Sequence, residues 1–257
     1  MGWSMNLKVV RTAVRALRRR PALLLFPALS AVALGLVVLG AWVVPLHGVW
    51  ERASRDQAPT SAQYAMLVLL VALLSCVSTY FSAALLHSVH GLLKGDRPAI
   101  TASLVAALRR LPTLVGWSLL GSTLGLLLRA LESTAGMSWI FELAGLSWTL
   151  LTFFVLPVIV AEHGGLLPSL RRSLALGRRE LGSWIAGGIR LFITTAVVLT
   201  AGVVVMIFAI ETDSVSVMLA SAGAVLLLWF LAGIVVSAAS GIYRMALYHR
   251  AVRDQEA

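Results

Sequence analysis

The sequence predicts an all-α fold: a polytopic membrane protein with six transmembrane helices and short amphipathic interfacial helices, forming a single integral-membrane domain over residues 1–257. Three observations carry this. Hydrophobic residues make up 59% of the chain and charged residues only 12%, about half the roughly 25% charge of a soluble domain. The apolar residues fall in runs near the ~20 residues that cross a bilayer as a helix. The basic residues sit between those runs and alternate in density from one connection to the next.

The first run, 22–44, follows Arg18, Arg19, Arg20 and Pro21. Proline suits the first turn of a helix, where its missing N–H is not needed. A basic segment before an apolar stretch also describes a secretion signal. Here the stretch from Pro21 to Leu46 is 26 residues long, beyond the roughly 7–15 of a signal's apolar region, and no small-residue cleavage site follows, so a retained first helix is expected. Pro27 lies inside the run and Pro45 ends it.

Five further spans are expected at 64–87, 112–131, 138–160, 185–209 and 216–242. No Asp, Glu, Lys or Arg occurs between Asp56 and Lys94, so the second helix has room to project as far as Gly91. Pro112 opens the third, and Pro157 lies near the end of the fourth. No connection approaches the ~50 residues of an independent soluble domain.

Counting Lys and Arg beside the spans sets the orientation. The N-terminal segment carries Lys8, Arg11, Arg15, Arg18, Arg19 and Arg20, and the second connection Lys94, Arg97, Arg109 and Arg110. The fourth connection carries Arg171, Arg172, Arg178 and Arg179, and the C-terminal end Arg244, Arg250 and Arg253. The intervening connections hold only Arg52 and Arg55, then Arg129, then none beside Glu211 and Asp213. Both termini are therefore expected in the cytoplasm, with the chain in the cell's inner membrane.

The cytoplasmic connections read as amphipathic helices at 7–20, 99–111 and 167–181. In the last, Leu170, Leu174 and Leu181 share a side while the Arg pairs flank it. Each would lie in the interface and lead into spans one, three and five. This gives a basic helix followed by a hairpin three times over, as units 1–93, 94–163 and 164–257. The closest echo is ALRRRP at 16–21 against ALRRLP at 107–112.

A net charge of +10 on a soluble chain would raise nucleic acid as a partner. With the charges dispersed between apolar runs, the expected partners are membrane phospholipids of the anionic kind, with a protein partner or homo-oligomer left open and no nucleic acid. Arg18, Arg19, Arg20, Arg109, Arg110, Arg171, Arg172, Arg178 and Arg179 are the candidate headgroup contacts.

Polar groups inside or beside the spans are few. Arg190 falls in the inner part of span five, where it anchors by snorkelling, pairs internally or contacts a substrate. His87 and His90 stand three residues apart near the inner end of span two, and Glu162 and His163 end span four. They are the residue types of a metal or acid–base site without its spacing. Arg129 and Glu142 flank one short turn at similar depth and are candidates for a salt bridge, with Glu132 competing for Arg129 from the same helix face. Gly121 and Gly125, with the stripe Gly233, Ser237 and Gly241, mark expected close helix contacts.

No HExxH, phosphate loop, nucleophile elbow or dinucleotide motif occurs, so no catalytic residue, metal or cofactor is predicted. The lone Cys76 lies in an apolar run and excludes an intrachain disulfide. The expected function is a non-enzymatic accessory, scaffold or lipid-organising protein. A small oligomeric transporter or flippase-like permease and a lipid-modifying enzyme are the alternatives.

The segments ALRRRPALLLFPALS at 16–30, YFSAALLHSVHGLLKGDRPAITASLVAALRRL at 80–111 and WTLLTFFVLPVIVAEHGGLLPSLRRSLAL at 148–176 resemble a family of uncharacterised bacterial integral-membrane proteins. A looser similarity runs to the membrane part found beside some glycerophosphodiester phosphodiesterase domains. The first resemblance implies a multi-span inner-membrane protein and brings no catalytic residue with it.

Overall fold

The computed structural model describes residues 20–42, 46–55, 57–58, 60–96, 98–135, 152–162, 164–212 and 214–256, without the side chains of 53, 129, 132–135, 178–194 and 254–256. Among these the chain is all-α. After a 3-10 turn at Pro21–Leu24 come α1 (Leu25–Ala41), α2 (His47–Ala53), α3 (Ser61–Lys94), α4 (Ile100–Leu108), α5 (Leu111–Ala135), α6 (Val155–Glu162), α7 (Leu166–Ile210) and α8 (Val215–Glu256). They divide into two compact units: Ala28–Arg178, and the described residues of Met1–Pro27 with Arg179–Ala257.

This is a multi-span membrane protein, but the expectation of six spans is corrected. Among the described residues four helical stretches are long and apolar enough to cross a bilayer: Pro21–Ala41, Ser61–Lys94, Leu111–Leu128 and Val215–Arg253. Most of the expected fourth span lies outside the described residues. What is described of it is α6, 8 residues and about 12 Å long, too short for a core of ~30 Å. Its residues 155–160 are buried rather than turned outward. The expected fifth span fails for another reason. The basic helix at 167–181 and the span at 185–209 are one 45-residue helix, α7, whose described apolar stretch is only Thr195–Ile210. The charges of its first half belong to the same element as the apolar second half.

In the unit Ala28–Arg178, α3 is the central element. A capping box starts it: Gln63 N–H donates to Thr60 Oγ1 at 3.3 Å, and Thr60 N–H donates to Gln63 Oε1 at 2.9 Å. Gly95 ends it with φ of 94°, the left-handed conformation that lets Asp96 N–H return to the Gly91 carbonyl at 2.9 Å. The first half of α3 exposes Tyr64, Met66, Val68, Leu69, Val71 and Leu73. The second half buries Ala83, Ala84, Leu85, Leu86 and Val89, where α4, α5 and α6 pack against it.

Polar stitches join these helices. Ser75 donates to the Ser118 carbonyl at 3.5 Å, and Tyr80 donates to the Leu104 carbonyl at 3.1 Å. The short helix α4 turns Ser103 and Ala107 inward and Val105 and Leu108 outward. That inverts the pattern of a water-facing helix and suits a lipid interface.

In the other unit the turn Pro21–Leu24 packs on α8, and Ala238, Ile242, Met245 and Leu247 form the buried side of α8. Helix α7 meets α8 at Gly202, beside the indole of Trp229. Of the glycines expected to mark contacts, Gly121, Gly125 and Gly233 do not, since a methyl group on any of them would meet nothing within 4 Å, while Gly241 is buried. Close approach occurs instead at Gly202 and at Gly91, against which Pro98 packs.

Candidate functional site

At the buried end of α3 the unit Ala28–Arg178 forms an open cleft of about 670 Å³. This lies within the roughly 300–1,000 Å³ of small-ligand sites. Five pieces of chain build it: His87 from α3, Val105 and Ala106 from α4, Arg109 and Arg110 from the junction into α5, Pro112 and Thr113 from the first turn of α5, and Ile159 and Gly164 from α6 and the loop after it.

The two adjacent arginines do different things. The Arg110 guanidinium donates from one nitrogen to the carbonyl of Ile159 and, at 2.7 Å, to that of Val160. These carbonyls lie in the last two turns of α6, where a helix runs out of its own N–H partners. A cation there also meets the negative end of the helix dipole. Burial draws the Arg110 pKa down, but a guanidinium so placed stays charged across the working pH range. Arg109 is exposed, and its guanidinium has no hydrogen-bond or ion-pair partner among the described residues.

His87 Nδ1 stands 3.5 Å from Ser103 Oγ, which is wholly buried. No carboxylate lines the cavity. The nearby Glu162 accepts from Arg172 Nε at 3.3 Å. Residues 159–162 therefore tie Arg110 from one basic connection and Arg172 from another to the same end of the unit. Arg171, beside it, is exposed.

Of the residues singled out from sequence, the structure thus brings together His87, Arg109 and Arg110, and separately Glu162 with Arg172. His90 is half-buried on the same helix as His87 and does not line the cavity. Arg20 is half-buried. Arg18, Arg19, Glu142 and His163 lie outside the described residues, as do the side chains of Arg129, Glu132, Arg178, Arg179 and Arg190. Among the described residues no three His, Cys, Asp or Glu side chains converge as a metal site would require. Sequence reasoning missed Thr113, Ser103 and Gly164. Each is unremarked in its local context, and only the packing of α3 to α6 assembles them.

The cavity can receive an anion. Two guanidinium groups, an imidazole and the positive end of α5 face it, with no acidic side chain in its wall.

Comparison with known proteins gives a family and no more. A family model described as a family of unknown function, DUF6159, matches residues 61–257. No curated protein and no solved structure matches the chain. Nothing found links it to glycerophosphodiester phosphodiesterases.

Proposed function

The chain belongs to the family of unknown function DUF6159, and from that premise we propose that it is a non-enzymatic membrane protein that organises anionic phospholipid at the cytoplasmic face of the inner membrane. The N- and C-termini and the basic junction at Arg109 and Arg110 are on that face. The observation that carries the reading is the sorting of side chains in the unit Ala28–Arg178. Large apolar side chains point outward over the first half of α3, while Arg110 and Arg172 bond to the end of α6 and Arg109 lines the cavity beside it. Each such charge close to an anionic surface contributes on the order of 1 kcal/mol.

The test uses the full chain in nanodiscs of phosphatidylcholine with a minor fraction of phosphatidylglycerol. Lipid extracted with the purified particles should be enriched in phosphatidylglycerol, and the enrichment should fall as salt rises. Reporter fusions after residues 56, 95 and 255 should read outside, inside and inside. Equal retention of both lipids, or an outside signal at 95, overturns the reading.

A further inference from the structure

We propose that the cavity bounded by His87, Arg109, Thr113 and Gly164 is a discrete binding site for a phosphate ester, supplied either by a phospholipid headgroup or by a soluble phosphate monoester. This deepens the lipid-organising reading by giving it a defined pocket, and rests on that reading only for the lipid as the source.

The chemistry of the wall selects phosphate. A guanidinium presents five N–H donors in a planar fork that matches phosphate oxygens. Arg110 already spends one nitrogen on the carbonyls of Ile159 and Val160, which fixes its plane and makes it part of the wall. Arg109 has no such duty among the described residues and is the group left to take the ligand. The hydroxyl of Thr113 adds a neutral donor in the first turn of α5, where the helix dipole also favours negative charge.

A second, independent observation lies behind Gly164. Ser169 is 1% exposed, and its hydroxyl has no hydrogen-bond partner among the described residues. It stands 3.4 Å from where a Cβ on Gly164 would be, beside the glycine that lines the cavity. A buried hydroxyl left unpaired is unfavourable, and an oxygen of a ligand entering past Gly164 would supply what it lacks.

The surroundings favour a lipid as the source. Val105 lines the cavity yet is 48% exposed, and Leu108 and Leu111, on either side of the arginine pair, are exposed as well. An anion held by Arg109 thus sits against apolar side chains that would meet acyl chains.

The experiment measures saturable binding to the purified full chain in neutral detergent. Phosphatidylglycerol is followed by native mass spectrometry and sn-glycerol 3-phosphate by calorimetric titration. One tightly held phosphatidylglycerol per chain is expected. Arg109→Gln should weaken it about tenfold, the scale of one charge-assisted hydrogen bond, and Ser169→Ala by about twofold to fivefold. Arg253→Gln, at an exposed site on α8, should change it less than about twofold. Arg109 makes no bond that the fold needs, so Arg109→Gln should melt with the wild type, and Arg109→Lys should recover part of the affinity.

Displacement of the lipid by sn-glycerol 3-phosphate at similar concentration would identify the soluble ester as the source, and failure to displace it the lipid. Either result upholds the site. Two results overturn it: no saturable binding of either compound, or equal losses in Arg109→Gln and Arg253→Gln. If the nanodisc preference for phosphatidylglycerol persists in Arg109→Gln, the pocket fails while the broader reading stands. If the wild type shows no such preference but binds sn-glycerol 3-phosphate saturably, the broader reading fails and the pocket stands.

Discussion

Replacing Gly202 by alanine should destabilise the pairing of α7 with α8. A Cβ at that position would clash with Trp229 Nε1 and lie 2.7 Å from Cε2 and 2.9 Å from Cζ2. All three are atoms of one rigid indole, so no flexible end can swing away. Relief requires the ring to leave its rotamer or the helices to part. Such overpacking costs about 1–3 kcal/mol, and three simultaneous clashes place this case at the upper end. Against it stands the helix propensity of alanine over glycine, about 1 kcal/mol. The net loss is about 2 kcal/mol, measurable by reversible unfolding in mixed micelles as denaturing detergent is increased.

Two companions make the reasoning testable. Trp229→Phe removes the ring edge that a Cβ would strike. It also removes an Nε1–H that is buried without a hydrogen-bond partner among the described residues. It should therefore be close to neutral alone and should recover most of the loss in Gly202→Ala, a coupling of at least about 1 kcal/mol. Gly121→Ala, Gly125→Ala and Gly233→Ala meet nothing within 4 Å and should gain up to about 1 kcal/mol each. A Gly202→Ala variant as stable as the wild type, or behaving like those three, would refute the contact.

Two further predictions concern the unit Ala28–Arg178. Arg110→Met should cost about 1–3 kcal/mol by leaving the Ile159 and Val160 carbonyls without their donor, and Arg110→Lys should restore part of it; hydrogen exchange across α6 that is unchanged in Arg110→Met would count against this cap. Thr60→Ala should cost about 1 kcal/mol and speed amide exchange in the first turn of α3, and exchange indistinguishable from wild type there would mean that the capping box does not hold that end.

Helicity, the central α3 and the basic clusters were legible because each has a local signature. The uncharged run between Asp56 and Lys94 marks α3, which continues to Lys94, beyond the expected span 64–87. Pro112 marks the start of α5 within one residue. The joining of 167–181 to the apolar run after it was not legible. Gly177, Gly182, Gly187 and Gly188 look like breaks, yet the backbone of α7 runs through all of them. A glycine in a helix lowers its propensity by only about 1 kcal/mol, which a membrane or a packed neighbour overrides. The six-span expectation is corrected at this place because the described apolar stretch of α7, Thr195–Ile210, is shorter than a span. Spacing also misjudged the glycines: GxxxG says that a close approach is possible, while Gly202 owes its contact to one tryptophan on another helix. The partner of Arg110 is backbone carbonyl, which no residue pattern can announce.

The two halves of α3 are held by different solvents, and this decides where a site can form. Over the first half the large side chains face outward among the described residues, and a lipid covering gives no fixed geometry. Over the second half the buried alanines at 83 and 84 let neighbouring helices close on α3, and Leu86, Leu114, Phe154 and Ile159 fill the space between. A close-packed protein interior holds side chains in single rotamers. A binding group needs that kind of support to stay within a fraction of an ångström of its working position. In the unit Ala28–Arg178 the packed core and the basic junction at Arg109 and Arg110 coincide at the same end of α3. The arginine whose fork is locked onto α6 then becomes the fixed wall against which its neighbour, with no described partner, can receive an anion.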